Sequence, residues 1–327
     1  MKVVLFLFLS IFVYANEYAW IETYRNGGVS ALEKKIDETL QSREYWKYAL
    51  KDKDVRYGYY ESVNFLFVAT KDSPSLEKPK LKLYSMDNGK WVEKINVNSL
   101  VGSKGGHKQK EGDLATPIGV YELKARLSGL DQYYGPLAYD TSYPNLYDKL
   151  HKRTGYGIWI HGMPLNGNRE ELNTRGCIAI ENNFLTQVDG LINHKEALLI
   201  TYDNKIKETN IDELSSILAN LFAWKEAWKV NDIESYLSFY SKDEFIRFDG
   251  ARFDEFAENK RRIFNKKEDK TITFSKINVS PYPNDGNRNM FRISFFEDYK
   301  APSYSFRGTK ELYVLLDGEK IQILAEK

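Results

Sequence analysis

The chain has 327 residues, a length that argues for two domains with room for a smaller third piece. Its 42% hydrophobic, 14% aromatic and 28% charged content builds sizeable cores under an ordinary surface, which excludes disorder and a polytopic membrane protein. Lys plus Arg (47) balance Asp plus Glu (46), excluding a global field for nucleic acid or an anionic bilayer, while one Cys and four scattered His exclude a disulfide framework and a zinc-type cluster.

In chain order, Met1-Lys2 forms a short positive start, Val3 to Tyr14 an apolar run, and Val13-Tyr14-Ala15 ends in a small residue. This pattern predicts a signal peptide cleaved after Ala15, because the run falls short of the ~20 apolar residues that span a bilayer. The mature protein then works outside the cytoplasm and is formally neutral. Residues 16–60 carry a capping-box spacing at Ser30-Ala31-Leu32-Glu33, with Leu32, Ile36, Leu40 and Tyr45 at apolar positions. A helix this short needs a surface to pack on, either the next domain or a second copy of the chain.

From Val63 the period changes to two. Phe65 to Ala69, the alternating Lys80 to Tyr84, a turn at Asp87-Asn88-Gly89 and the run Ile118 to Leu123 read as strands, as do Gly157 to His161, Cys177 to Ile180 and Ala197 to Thr201. Residues 61–203 thus read as one mainly β domain. After Asp203-Asn204-Lys205 helical spacing returns at Leu214, Ile217, Leu218, Leu221, Trp224 and Trp228, then around Ile233 to Tyr240. Strand-like segments at 271–274 and 291–295 and a hairpin around Asp317-Gly318 close the chain. Residues 208–327 predict an α+β cone, in which Trp224, Trp228, Tyr236, Phe239 and Tyr240 pack a core and no acid–base pair stands out.

Chemistry concentrates where two strands meet one loop. His161 ends an apolar strand before Gly162, and sixteen residues on Cys177 follows Thr174-Arg175-Gly176. Cysteine attacks as thiolate, and at an ordinary pKa of ~8.5 it needs a base to supply that form. His161 can take the proton and return it to a leaving amine, with the Gly162 carbonyl orienting the ring in the absence of a nearby acid. Amides near Gly176 and Cys177 would hold an oxyanion, and Arg175 offers a fixed fork for a carboxylate. Each residue alone has a plainer reading, Cys177 as a small buried apolar side chain and His161 as a satisfied strand-end histidine. In an exported chain with one Cys, their spacing together favours catalysis.

The stretch HGMPLNGNREELNTRGCIAI resembles the His-Gly…(Ser/Thr)-Arg-Gly-Cys signature of the L,D-transpeptidase (YkuD-like) catalytic domain. Lys110-Glu111-Gly112-Asp113-Leu114-Ala115-Thr116-Pro117-Ile118-Gly119-Val120-Tyr121 resembles that family's Gly…Thr-Pro-x-Gly-x-Tyr segment. The resemblance covers about residues 61–203 and implies Cys177 as nucleophile, His161 as base and Arg175 beside the substrate; Gly176, Trp159 and His107 are further candidates for substrate binding. His107 sits in a Gly-rich segment that otherwise reads as a flexible surface loop. It further implies action on a peptidoglycan stem tetrapeptide, with attack at meso-diaminopimelate, loss of D-Ala, and no metal or cofactor. In the long loop after Met163, Asn166, Asn168 and Arg169 are either substrate contacts or solvated, whereas Glu170 and Glu171 read as solvated.

The tail is similar to the NTF2-like cone, and the whole arrangement resembles periplasmic L,D-carboxypeptidases that set helical cell shape. That resemblance favours water as acceptor. An L,D-transpeptidase and a non-catalytic wall-binding scaffold are the alternatives, and a homodimer through the cone or the N-terminal helix is a further expectation.

Overall fold

The computed structural model describes residues 3–71, 78–167, 171–203 and 206–327, and for residues 3–17 the backbone alone. Met1, Lys2, Asn168, Arg169, Glu170, Asn204 and Lys205 lie outside the described residues. Helix α1 (Val3–Leu40) is interrupted at Gly28, where φ is 68° and ψ −161°, so the chain is already helical before the Ser30 signal. Among the described residues no helix is long and apolar enough to cross a membrane. A second helix, α2 (Arg43–Leu50), follows after Ser42 caps it by accepting from the Tyr45 amide. Trp46 donates its indole N–H to the Leu40 carbonyl (2.7 Å), fixing the reversal between the two helices.

The eight-stranded sheet takes β2 (Phe65–Thr70), β3 (Lys80–Asp87), β4 (Lys90–Asn98), β5 (Gly119–Ser128), β6 (Leu137–Thr141), β7 (Trp159–His161), β8 (Ile178–Ala179) and β9 (Ala197–Tyr202), preceded in sequence by the short β1 (Tyr59–Tyr60). Its order is β4-β3-β2-β9-β5-β6-β7-β8, and a bridge from Leu100 to Ala179 brings the chain leaving β4 back to β8, so the sheet curls. Helices α3 (Leu146–Leu150) and α4 (Asn182–Leu191) lie in its connections. The central pair, β2 and β9, runs parallel and is buried on both faces, which is why these segments read as unbroken apolar runs. Phe67, Ala69 and Leu199 face the inside of the curl, while Leu66, Val68, Leu198 and Ile200 face the C-terminal unit.

That unit comprises α5 (Ile211–Lys229), α6 (Ile233–Ser238), β10 (Ile246–Arg247), α7 (Phe253–Phe264), β11 (Thr271–Pro281), β12 (Met290–Ala301), β13 (Tyr304–Asp317) and β14 (Lys320–Glu326). Its sheet runs β1-β11-β12-β13-β14-β10, and α5, α6 and α7 share one core with it, giving the α+β cone. The two N-terminal helices dock on this last unit and not on the next part of the chain, which the segment meets only further on, where Tyr57 donates to Tyr84 (3.1 Å) and Asp54 accepts from the Trp91 amide (3.3 Å). Trp46 stacks on Phe222 (5.7 Å, 22°), and Asp37 bridges Lys225 (2.9 Å) and Lys229 (2.5 Å) of α5. Strand β1 pairs with β11, Tyr59 opposite Val279. The reason is area: the aromatic face of α2 finds its complement on α5, a match invisible to local periodicity.

Candidate active site

Strands β7 and β8 pair in parallel, Ile160 with Ile178 and His161 with Ala179. Continued back one residue, that register sets Cys177 opposite Trp159. In-register residues of parallel neighbours share a face and successive residues alternate. Ile160 and Ile178 point into the core, so His161 and Cys177 emerge together on the other side. The Trp159 amide points at Cys177 Sγ (3.5 Å), and the thiol reaches the Gly157 carbonyl (3.4 Å). His161 is buried, its Nδ1 2.7 Å from the Gly162 carbonyl oxygen. Since a carbonyl only accepts, Nδ1 carries the proton and Nε2 is the basic nitrogen of the neutral ring.

The loop before Cys177 is built by a chain of clips. Thr174 Oγ1 accepts from the Gly176 amide (3.1 Å) and donates to the Cys177 carbonyl (2.6 Å), while the Thr174 amide donates to the Val101 carbonyl (2.8 Å). Next in the chain, the Gly102 amide donates to Thr116 Oγ1 (2.8 Å). The Thr-Pro segment and the Arg-Gly-Cys segment are thus one structure, the first buttressing the second. Gly176 has φ of 133°, and a Cβ there would stand 2.9 Å from the Ala115 carbonyl oxygen. The Gly176 amide, expected at the oxyanion, is engaged within this turn by Thr174.

Cys177 opens into a cleft of about 720 Å³ walled by residues around 108–114, 155–158 and 171–175, with Tyr134. Arg175 is exposed on that wall. Lys108, also on the wall, is buried and ion-paired with Asp113 (2.7 Å). Burial works against the Asp113 charge, but Lys108 and the amides of Lys110, Gln109 and Ala115 hold its carboxyl well below the usual range. Trp159 is half-buried and meets Tyr134 edge to face (5.1 Å, 66°); it does not line the cleft.

Three expectations are corrected. His107 neither lines the cleft nor lies on the surface: it is buried, with Nδ1 3.0 Å from the Lys108 carbonyl and Nε2 2.9 Å from Arg153 Nη1. Arg153 in turn pairs with the fully buried Asp148 (3.0 Å), so His107 completes a core network behind the cleft. Glu171 is not simply solvated, since it lines the cleft and accepts the Tyr133 hydroxyl (2.5 Å). The cone does hold acid–base groups. A cavity of about 440 Å³ is lined by Trp228, Lys260, Glu297 and Lys310 among others, and Lys310 pairs with Glu326 (2.6 Å). Burial lifts the Glu297 carboxyl to about 7, and its Oε2 is among the buried atoms with no hydrogen-bond partner. Trp224, Tyr236 and Tyr240 are core residues, but Trp228 is shared between core and cavity.

Sequence reasoning missed Tyr134, whose ring stands edge-on to His161 (5.2 Å, 86°) and whose carbonyl accepts from the Gly162 amide (2.9 Å). The aromatic pair before Gly135-Pro136 was the available signal. Among the described residues no cluster of three His, Cys, Asp or Glu is placed to hold a metal ion.

A curled β unit presenting a thiol and an oriented imidazole on one face, fused to an α+β cone, defines a two-part protein with a cysteine–histidine site. Residues 76–195 match the L,D-transpeptidase catalytic domain (YkuD) and residues 216–327 the Cds6 C-terminal NTF2-like domain. The chain is 43% identical to the helical cell shape determining protein Pgp2 from Campylobacter jejuni, covering 88% of this chain and 99% of that one with a TM-score of 0.81. A lysine-to-alanine point mutant of that protein gives 42% identity, the same coverage and a TM-score of 0.83. Bd1075 from Bdellovibrio bacteriovorus shares the fold at 24% identity, with a TM-score of 0.63 over 84% of this chain and 95% of its own. No curated protein sequence matches the chain. The chain belongs to the YkuD L,D-transpeptidase family, in the form that carries a C-terminal NTF2-like domain.

Proposed function

We propose that this protein is a periplasmic L,D-carboxypeptidase that trims peptidoglycan stem tetrapeptides to tripeptides and so contributes to cell shape. The observation that carries this reading is the pairing of Cys177 with His161 on one face of β7 and β8, the ring fixed through Gly162, at the wall of an open cleft. His161 Nε2 removes the Cys177 proton, and the thiolate attacks the diaminopimelate carbonyl. Collapse of the tetrahedral intermediate breaks the bond to D-Ala, whose amine leaves with the proton from Nε2. Water, deprotonated by the same nitrogen, then attacks the thioester and frees the tripeptide and the thiol. Arg175 offers its fork to a substrate carboxylate, a role supported by its exposure on the cleft wall. No step calls for a metal or cofactor.

Support for water as the acceptor is the likeness along nearly the whole chain to a protein named as a determinant of helical cell shape. Residues 1–15 support export, with cleavage after Ala15. Purified muropeptides test the reading: tripeptide plus free D-Ala is expected from the mature protein, and a cross-linked dimer instead would make it a transpeptidase. Cys177→Ala is expected to abolish release, and His161→Ala to lower kcat by about 10³-fold or more, both with the fold retained in circular dichroism.

One observation favours an added binding role: the C-terminal cavity holds buried charge inside apolar walls. A wall fragment that binds Cys177→Ala protein in calorimetry, and loses affinity in Lys310→Ala, would support it.

A further inference from the structure

Asparagine is a favoured helix N-cap, yet Asn182 sits one residue inside α4, after Glu181, whose side chain makes no capping bond. Its amide is used elsewhere. Oδ1 accepts from the Met163 amide (2.8 Å) and Nδ2 donates to the Met163 carbonyl (3.0 Å), so the two ends of the side chain are assigned by the backbone groups they meet. Room for this clamp comes from two glycines. A Cβ on Gly162 would stand 2.1 Å from Oδ1, and one on Gly135 2.6 Å from it.

The Met163 N–H and the Gly162 C=O belong to a single planar peptide unit and, in the trans form, point in opposite directions. The carbonyl end of that plane holds His161 Nδ1 (2.7 Å), and the amide end is held by Asn182 Oδ1 (2.8 Å). Rotation of the plane moves both bonds at once. We infer that Asn182 is a positioning residue for the Cys177–His161 pair, acting through the Gly162–Met163 peptide in the place an orienting acid takes in other nucleophile–histidine systems. This rests on the reading of that pair as catalytic. The Oδ1 bond sets the ring; the Nδ2 bond only secures the clamp.

Asn182→Asp keeps an acceptor for the Met163 amide, loses the donor to the Met163 carbonyl and sets a charge beside it. Asn182→Ala loses both bonds. The expected order of kcat for D-Ala release is wild type, then Asn182→Asp, then Asn182→Ala about 10- to 100-fold below wild type, with KM within about threefold. Thermal midpoints should not follow that order, since the aspartate faces a carbonyl. Alkylation of Cys177 by iodoacetamide at neutral pH needs no substrate and should fall in Asn182→Ala towards the rate of His161→Ala. If wild type releases no D-Ala while alkylation still follows this order, the functional reading fails and the clamp stands. Equal kcat and alkylation rates in wild type and a folded Asn182→Ala overturn the clamp, as does equal loss in both variants. Should Asn182→Ala not fold, Asn182→Ser, too short to span to Met163, is read in its place.

Discussion

Gly176 stands where a side chain has no room. Its φ of 133° is strained for any L residue, and the nearest obstacle to a Cβ, 2.9 Å away, is the Ala115 carbonyl, backbone that cannot swing aside. Gly176→Ala is expected to cost about 1–3 kcal/mol in denaturant unfolding and to lower activity, because relief comes only by moving the Cys177 turn. At this scale His161, Cys177 and the Gly162 carbonyl were legible from spacing, since strand alternation and one following glycine place them locally. His107 was not: its partners, Arg153 and Asp148, lie some forty residues on, and nothing near His107 announces burial.

Between elements, the family's two motifs gain a physical meaning. Thr116 is buried; its hydroxyl accepts from the Gly102 amide, and the neighbouring Val101 carbonyl in turn accepts from the Thr174 amide. Thr116→Val preserves shape but leaves that buried amide without its acceptor, a loss of about 1–3 kcal/mol. The expected result is a lowered thermal midpoint together with slower D-Ala release, and unchanged activity would sever the proposed link between the motifs. The order of these elements was readable in the sequence, and so were β2 and β9 as buried runs. The N-terminal helices pack on the C-terminal unit and not on the next domain, a choice the sequence left open because amphipathic patterning reports a face to be covered and not which surface covers it.

Across the whole molecule, the catalytic sheet and the cone are joined by buried contacts. Arg292, 6% exposed, donates to Glu122 of the catalytic sheet (2.7 Å) and to Glu311 of its own (2.7 Å), and Tyr282 accepts from Asn145 (3.1 Å). Stripping one partner from the largely buried Arg292–Glu311 pair costs about 3–5 kcal/mol, whereas the Arg292–Glu122 pair that spans the units has a glutamate side chain 53% exposed and contributes about 0–1 kcal/mol, so the buried packing and the Asn145–Tyr282 bond do more to hold the two units. The cone also carries a pH dependence. Glu297 is lifted by burial from 4.5 to about 7, so the folded state keeps a proton that the unfolded chain releases. The stabilisation is complete below about 4.5 and is lost as pH rises through about 7. Glu297→Gln is expected to flatten the wild-type fall in thermal midpoint between about pH 5 and pH 8, and parallel curves for the two proteins would refute the assignment.

By itself the sequence determined the placing of Cys177 and His161 at neighbouring strand ends, the glycine carbonyl beside the imidazole and the class of each half of the chain, because these follow from short-range period, strand alternation and reactive chemistry. Only the tertiary structure decided what surrounds them: the Tyr134 edge, the Asn182 clamp, the burial of His107 and the charged cavity of the cone. Each joins residues distant in the chain, and such contacts are selected by shape, burial and unmatched hydrogen-bonding groups once the chain has folded, which local pattern does not encode.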